Sequence, residues 1–201
     1  MEDKISNISC EKTSGAANEA DKHIRLFIAV PVCDHLKEGV RLLPRKELEG
    51  RWQHIDDLHI TIRFLGDLPE TRLEEITQAL ARVHRPAFNI EARNLGLFHK
   101  KRQTILYAAI QSTRKLEALC SVVTDVLEPL GFDFGMRPYV PHVTLARLKK
   151  PCGLEEYVKK QGPLLKAHWQ ETSFMLVRSA ASPPDVLGRR YQTLRRYDLA
   201  G

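Results

Sequence analysis

Histidine and threonine stand two residues apart in two strand-like runs of this chain, Leu58-His59-Ile60-Thr61-Ile62 and Pro141-His142-Val143-Thr144-Leu145. On a strand, residues two apart share a face. If the fold brings both runs together, two imidazoles and two hydroxyls line one small cleft. Imidazole titrates near neutrality, so one ring can take a proton while the other gives one. The hydroxyls of Thr61 and Thr144 can donate to the oxygens of an anion held between the rings. That set suits metal-free hydrolysis of a phosphodiester: His59 and His142 move protons, and the threonines steady the charge that builds at phosphorus. Arg63 shares the strand face of His59 by alternation and adds a charge-assisted contact.

Zinc is the main chemical rival, because neutral histidine is a common metal ligand. Two histidines from separate strands leave its coordination shell incomplete, and no carboxylate shares their faces. A phosphate-gripping site without turnover is a further alternative. Arg137 and Tyr139 precede the second motif, where a loop can touch a phosphate or stack on a base. Phe64 and Trp52 can stack as well, although alternation sends Phe64 to the apolar face with Leu58, Ile60 and Ile62. Arg147 falls on the face opposite His142 and reaches the cleft only by swinging in from a strand end. The connector His99-Lys100-Lys101-Arg102 reads as an RNA backbone contact or as a solvated hairpin tip.

The elements that must position these residues follow from periodicity. Ile24–Val30 reads as a buried strand and Cys33–Leu43 as a helix ended by Pro44. The first motif lies in a strand over Arg51–Phe64, closed by Gly66 and Pro69. A helix over Glu70–Val83 carries Leu73, Ile76, Leu80 and Val83 at helical spacing. Strands over Phe88–Phe98 and Thr104–Ile110 precede a helix over Arg114–Leu130, with Gly131 placed to cap it. The second motif strand spans Tyr139–Leu148, followed by a short helix at Leu154–Lys160. Strands over Ser173–Ser179 and Tyr191–Leu199 flank a loop rich in Ser, Pro and Gly. The pattern is α+β, with pseudo-symmetric halves that each contribute one motif strand.

The sequence has 201 residues, 43% hydrophobic and 28% charged, and a formal charge of +6 that favours an anionic partner. Its four cysteines show no CxxC spacing, so free thiols and a reducing cytoplasmic setting are expected. No apolar run reaches transmembrane length, so no membrane partner is expected. Residues 1–22 are polar and read as a disordered extension, with 23–201 as one bilobal domain. No cofactor is called for, and a monomer is expected.

The segments RLFIAV (25–30), RWQHIDDLHITIRFLGDL (51–68), LGLF (95–98), RPYVPHVTLARL (137–148) and RYQTLRRYDL (190–199) together resemble the RNA 2′,3′-cyclic phosphodiesterases. This family is also named the bacterial and archaeal 2′-5′ RNA ligases, within the two-histidine phosphoesterase superfamily. The resemblance implies two lobes of antiparallel sheet facing a central cleft, with helices outside. It implies hydrolysis of an RNA 2′,3′-cyclic phosphate end, or of a cyclic nucleotide, to a 2′-phosphomonoester. It also implies that His59 donates a proton to the leaving oxygen and His142 activates water, with ligation as the reverse. Other members of the superfamily act on small cyclic nucleotides or 2′,5′-linked oligonucleotides, and that remains the alternative substrate class. Ile105-Leu106-Tyr107 stands where many members carry tryptophan, and Arg178 where an acidic residue is common; neither touches the two motifs.

Overall fold

The computed structural model describes residues 22–46, 48–111, 113–135, 138–149, 153–180 and 188–199. The Ile- and Val-rich start forms strand β1 (His23–Pro31). Helix α1 (Asp34–Arg41) follows, with the Cys33 sulfur accepting from the Leu36 amide at 3.4 Å and Leu36 and Val40 turned inward. Strand β2 (Gly50–Trp52), one 3₁₀ turn (Ile55–Asp57) and strand β3 (His59–Pro69) replace the single strand expected over Arg51–Phe64. Gly66 does not end β3; it takes φ 88° and the strand runs through it to Pro69. Helix α2 (Leu73–Leu80) is shorter than its apolar spacing suggested, because Glu70–Arg72 form a 3₁₀ turn.

Strands β4 (Phe88–His99) and β5 (Thr104–Ile110) form a hairpin. Helix α3 (Thr113–Leu127) ends in a 3₁₀ turn capped by left-handed Gly131 at φ 84°. Strand β6 (His142–Leu148), helix α4 (Leu154–Gln161) and strands β7 (Lys166–Glu171), β8 (Ser173–Ser179) and β9 (Tyr191–Asp198) complete the chain. Strand β7 escaped the sequence reading. It is an edge strand with Lys166, His168 and Gln170 exposed, so it lacks an apolar run.

One sheet runs in the order β7-β4-β5-β6-β3-β1-β8-β9, with β2 on β6. It is two antiparallel halves of four strands, and the motif strands β6 and β3 are the innermost of each. The halves meet at one residue pair, Ile60 opposite Val143. Helix α1 packs against β7 and α4 against β4, while α3 packs against β3 and α2. Helix α1 thus follows a strand of one half but packs on the other half. The main core lies on the helix side, where Ile60, Ile76, Leu119, Val123 and Val143 are fully buried. A second, smaller apolar cluster of Phe27, Ala29, Met175 and Val177 lies on the opposite face of β1 and β8, with Tyr191 against it.

Candidate active site

Ile60 and Val143 are antiparallel partners with both side chains in the core. One step outward along each strand sets His59 beside Thr144 and Thr61 beside His142, all on the other face. The four side chains form a square with histidines on one diagonal and threonines on the other. Diagonal neighbours on an antiparallel pair have Cβ atoms about 7–8 Å apart. That leaves room for one tetrahedral anion between the two rings.

Both rings are held in the same way. His59 Nδ1 lies 2.7 Å from the Asp57 carbonyl oxygen, and His142 Nδ1 lies 2.8 Å from the Val140 carbonyl oxygen. A carbonyl only accepts, so each Nδ1 carries the hydrogen and each Nε2 is the working nitrogen. His59 is walled by Phe27 (ring centroids 4.8 Å apart) and by the edge-on ring of Tyr191 (5.1 Å). Its deeper burial pushes its pKa down to about 4, against the opposing pull of the Asp57 carbonyl; the nearby His142 adds to the lowering. His142 sits beside Phe98 and Tyr107 at 5.0 and 5.4 Å. Burial lowers its pKa as well, and the charges of Lys100 and Arg147 lower it further. At neutral pH the uncharged form therefore predominates on both imidazoles.

The supports of the rings are specific. The Asp57 carboxylate accepts from the Arg190 amide at 2.7 Å and so ties the start of β9, with Tyr191, to the turn that holds His59. On the other side, Tyr107 stacks on Phe98 at 4.2 Å and its ring lies over Gly96. A Cβ at Gly96 would meet that ring at 2.3 Å, so only glycine leaves the space. Asp57, Tyr191, Phe98 and Gly96 were not singled out in the sequence, because their roles depend on partners far away along the chain.

Two β-bulges rearrange the arginines and Phe64. In β3, Ala29 pairs with Thr61 but Ile28 with Arg63, leaving Ile62 as an extra residue. In β6, Tyr107 pairs with Thr144 but Leu106 with Ala146, leaving Leu145 extra. Each bulge resets the alternation one residue after the threonine. Arg63 consequently leaves the cleft face: its Nε donates to Thr124 of α3 at 2.9 Å and its guanidinium lies over Phe134. Phe64 joins the cleft side instead of the apolar face, 69% exposed and 5.9 Å from Phe27. Arg147 is on the face of His142, near enough to affect its titration, and needs no swing from the strand end.

Tyr139 is half-buried, and its hydroxyl donates to the Thr61 carbonyl at 3.1 Å; burial raises its pKa, so it remains a phenol. That contact makes it a prop for β3. Trp52 packs against the core with Arg45 over its ring. Arg137, expected at the phosphate, lies outside the described residues. Among the described residues no three His, Cys, Asp or Glu side chains converge as metal ligands. No described helix is long and apolar enough to cross a membrane. A separate cavity of about 640 Å³, between the segment after α1 and helix α4, is lined by no residue of the two motifs.

Comparison with known proteins finds relatives in sequence and in fold. The family described as LigT like Phosphoesterase matches residues 28–107. An Archaeoglobus fulgidus RNA 2′,3′-cyclic phosphodiesterase is 28% identical over 181 residues, spanning 87% of this chain and all of that one. Over these matches the chain is similar to the LigT-like phosphoesterases. A Geobacillus stearothermophilus RNA 2′,3′-cyclic phosphodiesterase is 31% identical over 63% of this chain, and the match spans 42% of that protein's length. A Thermus thermophilus structure superposes with TM-score 0.68 at 24% identity, over 89% of this chain and 99% of that one. Apo LigT from E. coli gives 0.65 at 22%, over 90% of this chain and all of that one. These structures share the α+β fold, with its curled antiparallel sheet.

Proposed function

We propose that this protein hydrolyses RNA 2′,3′-cyclic phosphate ends to 2′-phosphomonoesters, using its two histidines and no metal. The observation that carries the reading is the pair of imidazoles on one diagonal of the β3–β6 pair, each anchored through Nδ1 with Nε2 left to work. The curated relatives named for this activity support the substrate class.

In the reaction, His142 Nε2 takes a proton from water as the water oxygen bonds to phosphorus. The bond from phosphorus to O3′ breaks, and the proton on His59 Nε2 goes to O3′. Thr61 and Thr144 donate to the non-bridging oxygens, and Arg147 offsets the charge that develops on them. Phe64 offers an exposed ring on which the terminal base can stack. With a 5′-hydroxyl in place of water, the same steps leave a 2′-5′ linkage. Burial disfavours the proton that His59 needs, and a bound phosphodiester supplies the negative charge that stabilises it.

The test is turnover of an RNA ending in a 2′,3′-cyclic phosphate in excess chelator, with wild type, His59→Ala and His142→Ala. Either substitution should lower kcat by about 10²–10⁴-fold, and chelator should change nothing. Near-normal rates in both variants refute the acid–base assignment, and loss of wild-type activity on chelation refutes the metal-free one.

A further inference from the structure

Strand β2 brings a cation to the site that the two motifs do not contain. Arg51 is the ladder partner of Arg147, so both side chains leave the same face of the sheet. Like charges placed directly opposite on neighbouring strands repel. The close fit of β2 to β6 holds them there: the Gln53 amide donates to Leu145 at 2.8 Å, and a Cβ on Gly50 would lie 2.5 Å from the Arg147 carbonyl. Trp52, pointing the other way, packs β2 into the core. Lys100, in the turn joining β4 and β5, is a third cation whose field reaches His142. Among the described residues no carboxylate pairs with Arg51, Arg147 or Lys100; the nearby acids Glu49 and Glu155 pair with Lys149 and His99.

An anion relieves such a cluster, and its breadth says which kind. Arg51, Arg147, Ile105 and Phe98 lie in one row across β2, β6, β5 and β4. Three strand spacings make that row about 14 Å wide, and Lys100 lies in the turn two residues past Phe98. One phosphate neutralises one part of it. A sugar–phosphate backbone, with a charge at every nucleotide, can follow it.

Resting on the reading of the cleft given above, we propose that Arg51 and Lys100 extend the site into a groove for an RNA strand. Arg147 holds the scissile phosphate and Arg51 the neighbouring internucleotide phosphate. The enzyme thereby prefers the end of an oligonucleotide to a cyclic mononucleotide.

The experiment compares a 2′,3′-cyclic mononucleotide with a six-nucleotide RNA ending in a 2′,3′-cyclic phosphate, for wild type, Arg51→Gln, Arg51→Lys and Lys100→Gln, with melting curves confirming the fold. Arg51→Gln should raise KM for the RNA several-fold while leaving kcat, and both constants for the mononucleotide, unchanged. The slope of log(kcat/KM) against log[salt] for RNA should flatten by about 1, and Arg51→Lys should restore most of it. Equal RNA kinetics in wild type and Arg51→Gln overturn the groove and leave the phosphodiesterase reading standing, as does an equal loss on both substrates. Failure of the wild type to turn over either substrate overturns both.

Discussion

Occupying the cleft with an anion should load a proton onto His59. The free ring has its pKa pushed down to about 4, chiefly by burial against Phe27 and Tyr191. At pH 6 about 1% of the molecules then carry charge on it. An opposite charge within about 4–6 Å raises a pKa by about 1–3. A rise of 2 brings His59 to about 6 and its charged fraction to about one half. Sulfate is the right probe, because it resembles phosphate in shape and does not itself titrate at this pH. Calorimetry in two buffers of different ionisation enthalpy should therefore show uptake of about half a proton or more per site at pH 6, with His142 contributing in the same direction. Ring NMR should place the new charge on His59. Binding without proton uptake refutes the argument, as does a His59 already charged at pH 6 without sulfate. Charge appearing on His142 alone transfers the donor role to that ring.

Four further outcomes follow from the same geometry. The depressed pKa of His59 means that the unfolded chain binds the extra proton between pH 6.5 and about 4, so stability falls as pH drops through that window, by about 3 kcal/mol in all; urea unfolding at pH 7 and pH 4 should show this loss reduced in His59→Gln. Arg147→Gln should lower kcat/KM by about ten- to a hundredfold, the loss of a charged contact worth about 1.5–3 kcal/mol. Arg63→Gln should instead cost about 1–2 kcal/mol of stability, from its contacts with Thr124 and Phe134, and leave kcat/KM within about threefold; the reverse pattern would show that the bulges do not sort the two arginines as described. Gly96→Ala should displace Tyr107 and lower kcat with little change in helix content by circular dichroism, and full activity would remove Gly96 from the support of His142.

The paired motifs, the α+β pattern and the strand β5 were legible in the residues themselves. Apolar alternation around His59 and His142 is a local property, and the need to bury Ile60 and Val143 leaves the histidines and threonines on the remaining face. Hydrophobic runs likewise mark β1 and β8, and apolar residues at helical spacing mark α3. What escaped was whatever depends on an unmarked partner. Strand β7 is polar on one side because it lies at an edge, and β2 is three residues long and pairs with the distant β6.

The arginines show the boundary most plainly. Strict alternation assigns Arg63 to the cleft and Arg147 to the far side; the fold exchanges them. A bulge arises when two residues of one strand face one residue of its neighbour, here Ile62 against β1 and Leu145 against β5. Such a mismatch belongs to the pairing of two distant segments, and neither segment carries a local mark of it. The residue types capable of proton transfer are thus written in the chain, while the cations that share the face of the two histidines are chosen by how the strands register.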